Sequence, residues 1–164
     1  MIVSDRLTVS RRIAAPADRI FGILTDPRRH VEIDGSGMLM AAPDAKPLRA
    51  VGDTFEMNMD REPLGDLPLG KYTVINTVAS IVPGVELAWT VVAPGQPFVG
   101  HLWGYHLQPV NDNETVVSNY CDWSAVSPES RDRLARRGIS WPVVPAAMLE
   151  RSLANLEHIA TQPP

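Results

Sequence analysis

Hydrophobic and polar positions alternate most clearly in the back half of the chain. From Gly100 to Val110, and again from Glu114 to Ser124 beyond an Asn111-Asp112-Asn113 turn, one parity carries His101, Trp103, Tyr105 and Leu107, then Thr115, Val117, Asn119, Cys121 and Trp123. Successive strand side chains point to opposite faces, so these residues share one face of a predicted hairpin. A closed core would use plain Val, Ile and Leu there, because each buried hydroxyl, amide or imidazole needs a hydrogen-bond partner. An aromatic face dotted with polar groups on a concave sheet instead predicts a pocket for an apolar molecule carrying a few oxygens.

The same periodicity places the other elements. Val3 to Ile13 alternates loosely and reads as a strand, followed by a helix opening at Ala14-Ala15-Pro16-Ala17-Asp18. Ile20, Phe21, Ile23 and Leu24 form its buried stripe, and Asp26-Pro27 stops it because proline disfavours helical geometry in the residue before it. Arg28 to Ile33 adds a short helical turn, and Met38 to Ala42 a strand. In Asp53 to Asp60 the inward positions are Phe55, Met57 and Met59; in Lys71 to Ile81 they are Tyr72, Val74, Asn76 and Val78; in Val85 to Val92 they are Leu87, Trp89 and Val91. The Pro- and Gly-rich Arg61 to Gly70 reads as a flexible loop. Ser127-Pro128-Glu129 starts another helix, interrupted at Gly138. From Trp141 a last helix of about five turns, its start limited by two prolines, carries Leu149, Leu153, Leu156 and Ala160 on one stripe, with Met148, Ser152 and Ile159 beside it. Gln162-Pro163-Pro164 is expected to fray.

Composition narrows the function classes. Residues 1–164, 45% of them hydrophobic, are expected to form one domain with a sizeable core. A net charge of −4 gives no attraction to phosphate backbones or anionic lipid, so nucleic acid and membrane surfaces are not expected partners. The basic cluster Arg131, Arg133, Arg136 and Arg137 reads as a solvated helix face. With the single Cys121 no internal disulfide forms, which agrees with a reducing compartment, the cytoplasm being the simplest. The start lacks a signal-peptide pattern, and no apolar run approaches the length needed to span a bilayer.

The order of elements is strand, two short helices, about six antiparallel strands and a long helix, an α+β arrangement in which that helix must cover the sheet. Several short motifs accompany it. They are Pro16-x-x-x-Ile20-Phe21-x-x-Leu24-x-Asp26-Pro27, Gly52-Asp53-x-Phe55, Pro83-x-x-x-Leu87-Ala88-Trp89, Trp103-x-Tyr105-x-Leu107-x-Pro109, Thr115-x-Val117 and Asp122-Trp123-Ser124. Over nearly the whole chain this resembles the START/Bet v1-like (SRPBCC) superfamily, and within it the bacterial polyketide cyclase/dehydrase branch. The resemblance implies a helix-grip fold, with a curved antiparallel sheet of about seven strands wrapped round the C-terminal helix. It also implies a function among lipid and hormone carriers, aromatase/cyclases, quinone-binding proteins and co-chaperone domains, a range that fold alone does not narrow.

Cyclisation of a poly-β-ketone needs a dry cavity, a base and hydrogen-bond donors to an enolate, and neither metal nor cofactor. His101 is the candidate base, Tyr105 the donor, and Asn119 or Asn76 further carbonyl partners. The alternative puts His101 at the sheet rim, bonded to backbone or water, with Tyr105 and Asn119 as satisfied interior groups. Phe55, Met57, Tyr72, Trp89, Trp103, Trp123, Met148 and Ser152 are the expected ligand-binding wall, its methionines adapting to several shapes. His106 and Gln108 are expected at the surface, as is His30, although the resemblance implies that its short helix borders the pocket entrance; His158 falls near the end of the last helix. The scattered histidines and lone cysteine argue no metal site, and no nucleophile elbow or phosphate-binding glycine loop is present. A carrier or sensor of a small hydrophobic molecule (polyketide, lipid, quinone or aromatic compound) is thus expected ahead of a cofactor-independent cyclase, and that ahead of a module binding an unknown protein partner.

Overall fold

The computed structural model describes residues 5–163; Val3, expected to begin the first strand, and the final Pro164 lie outside them. Strand β1 (Arg6–Ile13) leads into helices α1 (Ala17–Leu24) and α2 (Pro27–Ile33). Six further strands follow: β2 (Leu39–Ala41), β3 (Thr54–Asp60), β4 (Lys71–Val82), β5 (Glu86–Val92), β6 (Leu102–Asn111) and β7 (Glu114–Asp122). Helices α3 (Pro128–Ala135) and α4 (Ala146–Ala160) close the chain. The seven strands form one antiparallel sheet in the order β1-β7-β6-β5-β4-β3-β2, so hairpins link β2 through β7 and only β1 crosses over, by way of α1 and α2. This is an α+β helix-grip architecture.

Local chemistry explains the joints. Asp26 and Pro27 both end α1 and start α2: the Asp26 carboxylate accepts from the Arg28 amide at 3.2 Å, and Pro27 occupies the first turn. Ser127 caps α3 by accepting from the Ser130 amide at 3.1 Å. In the β4–β5 pairing the register slips between Val78 and Ser80, leaving Ala79 as an extra residue. Such a bulge bends a strand, and it keeps Val78 and Ile81 on the inner face opposite Trp89 and Leu87.

Two expectations need correction. The last helix begins at Ala146 rather than Trp141 and has 15 residues, about four turns, because Pro142 and Pro145 keep the residues before them out of helical geometry. The segment 139–145 instead passes irregularly towards α4. Arg131 is not a free solvated cation. It pairs with Asp5 at 3.2 Å and donates to the carbonyls of Trp123 and Val126, tying α3 to the sheet, whereas Arg136 and Arg137 remain exposed.

Leu149, Ser152, Leu153, Leu156 and Ala160 make the buried stripe of α4. Each leucine so buried contributes about 1.5–3 kcal/mol. The helix packs chiefly on β1 and β7, with Arg11 donating to Glu157 at 2.9 Å on the outside of that seam. Against β3 to β6 it stands off, and the space between is the cavity.

Candidate functional site

A cavity of about 220 Å³ lies between the inner face of the sheet, α2, the loop after it, the segment before α4 and the first turns of α4. Phe55, Met57 and Met59 of β3, Tyr72, Val74 and Asn76 of β4, and Trp89 and Val91 of β5 form one wall. His101, just before β6, Trp103 and Tyr105 of β6 and Asn119 of β7 continue it. The register sets neighbours: Phe55 opposite Asn76, Asn76 opposite Val91, Trp89 opposite Trp103, and Tyr105 opposite Asn119. Met148, Leu149 and Ser152 of α4 form the facing wall.

Helix α2 contributes His30, which is buried rather than exposed as the sequence reading had it. The spacing of Pro27, His30 and Ile33 puts all three on its buried side. His30 Nε2 donates at 2.7 Å to the carbonyl of Leu24, a group at the end of α1 that helix geometry leaves unpaired. Burial keeps the His30 pKa below its ordinary value, so the ring is neutral and its Nδ1 is an acceptor. The ring stands edge-on to Phe55 at 5.4 Å and tilted to Trp89 at 5.1 Å, and Trp89 lies 6.3 Å from Tyr105. These aromatics form the apolar heart of the site.

Several polar atoms face this space without a protein partner. Asn76 is 4% exposed and its Oδ1 is buried with no hydrogen bond. His101 Nδ1 is likewise buried and unbonded, and burial drives its pKa down to about 4, so the imidazole is neutral near pH 7. The Tyr105 hydroxyl bonds to no described residue. Burial, reinforced by the Asp34 carboxylate, raises its pKa and keeps the phenol protonated. Outside the lining, Trp141, whose ring lies 4.9 Å from that of His101, also has a buried, unpaired Nε1–H. In a closed core such orphans are rare, each costing about 1–3 kcal/mol.

Other polar members are spoken for. Ser152 lines the cavity, but its Oγ accepts from the Gly35 amide at 2.8 Å and donates to the Met148 carbonyl at 3.1 Å. It therefore pins the 34–37 loop to α4. Asp34 on that loop also lines the cavity, its carboxylate accepting from the Ser36 amide and hydroxyl and the Leu39 amide. Trp123 is outside the lining; it is buried and stacks on Trp141 at 5.8 Å. Cys121, opposite Trp103, has a thiol that burial pushes up to about 12, which leaves it unreactive. His106 is exposed, as is His158.

Sequence reasoning missed Arg61 as well as His30. Arg61 continues the odd parity of Phe55, Met57 and Met59, and its guanidinium is buried in the cavity wall with only 8% of the side chain exposed. Extending that alternation by one position would have found it. Among the described residues no group of three or more His, Cys, Asp or Glu is arranged to hold a metal ion, and no helix is long and apolar enough to cross a membrane.

No protein-family model matches this chain. It is 28% identical over 151 residues to "Uncharacterized protein Rv0088" of Mycobacterium tuberculosis strain H37Rv, and to "Uncharacterized protein MT0096" of strain CDC 1551 to the same extent. The match covers 92% of this chain but 62% of those relatives, so the chain spans less than two thirds of their length. Among solved structures it is similar to a protein from Arthrobacter aurescens, with a TM-score of 0.65 and 15% identity over 98% of this chain and 88% of that one. Protein Ms6760 from Mycobacterium smegmatis gives 0.63 and 19% over 96% and 92%. Protein CV1439 from Chromobacterium violaceum gives 0.61 and 15% over 97% and 99%. Together with the topology, these likenesses fit a Bet v1-like fold.

Proposed function

We propose that this chain is a binding domain of the START/Bet v1-like superfamily that takes up one small, mostly apolar molecule with polar substituents, as a carrier or sensor in the cytoplasm. The observation that carries the reading is the cavity wall itself: an aromatic surface in which Asn76 Oδ1 and His101 Nδ1 are buried without partners. Orphaned polar atoms destabilise the free protein, and a ligand that bonds to them recovers that loss. The volume sets the ligand's scale. An apolar cavity of about 150 Å³ accommodates benzene, so about 220 Å³ suits one or two rings better than a fatty acyl chain or a four-ring polyketide.

Catalysis by the cyclase route is the weaker reading. A general base works best with a pKa near the operating pH, and His101, at about 4, is a poor proton acceptor from carbon. Tyr105 and Asn119, paired across β6 and β7, are better suited to holding ligand oxygens than to moving protons. The test is native mass spectrometry of the protein as purified, with titration of 2-naphthol followed by tryptophan fluorescence. Saturable quenching at one site per chain supports the proposal; no co-purifying species and no saturable change up to the solubility limit overturn it.

A further inference from the structure

Among the described residues that line the cavity only Arg61 carries a guanidinium, and one of its nitrogens has no oxygen acceptor. Its Nε and Nη2 donate to Asp66 at 3.0 and 2.7 Å, and Nη2 donates also to the Val143 carbonyl at 2.9 Å. Nη1, with two N–H groups, meets only the thioether of Met38 at 3.8 Å, a weak acceptor. The pairing with Asp66 does not quench this charge evenly. The Asp66 side chain is 48% exposed and shares its charge with water, whereas that of Arg61 is 8% exposed. The cavity therefore faces a desolvated cation with donors to spare.

Tyr72 stands beside it. Met59 pairs with Tyr72 across the β3–β4 hairpin, and the Arg61 amide donates to the Gly70 carbonyl to close that hairpin. The Tyr72 hydroxyl bonds to no described residue, so a second donor accompanies Nη1. Four residues along β4, about 13 Å at the rise of a strand, Asn76 presents its unpaired carbonyl oxygen. Asp34 acts on Tyr105 at the other end, whereas Tyr72 stands in the field of the Arg61 cation and of the Asp66 and Asp60 carboxylates.

We infer that the ligand is a one- or two-ring aromatic carboxylate carrying a hydroxyl or amino group at its far end, with the carboxylate on Arg61 Nη1 and Tyr72 and the donor group on Asn76 Oδ1. The inference rests on the binding reading above and names the class of molecule. A planar guanidinium suits a carboxylate better than any neutral oxygen. The backbone span from Tyr72 to Asn76, about 13 Å, is on the scale of two fused rings plus a hydrogen bond at each end.

The experiment compares 6-hydroxy-2-naphthoate, its neutral carboxamide and 2-naphthol by isothermal titration calorimetry at pH 7 and low salt. The acid is expected to bind at least tenfold more tightly than the amide, and Arg61→Met to narrow that ratio to within about threefold. If Arg61→Met does not fold, the wild-type ratio alone decides. Uptake of naphthol and amide with no preference for the acid overturns this inference while leaving the cavity reading intact. Uptake of none of the three overturns both.

Discussion

Replacing Asn76 by Leu should stabilise the protein and weaken its binding at once. Asn76 is 4% exposed, sits between Phe55 and Val91 on the inner face, and keeps its Oδ1 without a partner. An unsatisfied buried polar group costs about 1–3 kcal/mol, and an apolar residue of similar shape removes that loss without opening a cavity. For a chain of this length 1 kcal/mol shifts Tm by about 2–4 °C, so Asn76→Leu should melt about 2–12 °C higher. The same change deletes the acceptor offered to the ligand and should weaken 2-naphthol binding about tenfold, one neutral hydrogen bond being worth about 1 kcal/mol plus the desolvated donor left behind. Thermal and urea unfolding give the melting shift and the free energy, and the fluorescence titration on the same preparations gives the affinity. A variant less stable than wild type by 1 kcal/mol or more would refute the reasoning, because it would mean that the Asn76 amide is satisfied within the fold.

Gly35→Ala should destabilise by about 2–5 kcal/mol, since a Cβ there collides with the Met148 carbonyl, lies 2.7 Å from the Ser152 amide nitrogen, and breaks up the bonds from Gly35 to Ser152 and Arg151; a urea midpoint equal to wild type contradicts it. Gly104→Ala on the outer face should cost about 2–4 kcal/mol, because its Cβ meets the Tyr120 ring, which then leaves its bond to Glu86 and its place under Arg6; unchanged unfolding would show that the ring swings freely. Acid should weaken the fold through His101. Its folded pKa of about 4 lies below the unfolded value of about 6.5, so the unfolded chain binds more protons between them and stability falls as pH drops through that window, by at most about 3 kcal/mol. His30, also shifted down, acts in the same direction. Unfolding at pH 7 and 4.5 should show a smaller acid loss in His101→Phe than in wild type, and equal losses would remove His101 as a cause.

Strand parity made most of the sheet legible. Phe55, Met57, Tyr72, Asn76, Trp89, Trp103, Tyr105 and Asn119 all fall where a two-residue period puts them, on one face and in the cavity lining. What escaped the pattern has particular reasons. Trp123 lies just beyond the end of β7, where strand parity no longer governs direction, and it turns onto Trp141 instead. His30 and Arg61 were passed over because charged or titratable side chains are mostly exposed; here the Leu24 carbonyl and the Asp66 carboxylate supply the partners that make burial tolerable. Asp34 and Val143 lie on irregular segments whose course depends on contacts with α4 and Arg61, which no local period encodes.

The most direct test of the central claim is heteronuclear NMR of the Asn76 carboxamide and the Trp89 and Trp103 indoles during titration with 2-naphthol. The account predicts saturable shifts at these groups with one apparent affinity and little change on the outer face around Tyr120 and Glu86. Shifts confined to that outer face, or none that saturate, would contradict a ligand-accepting interior.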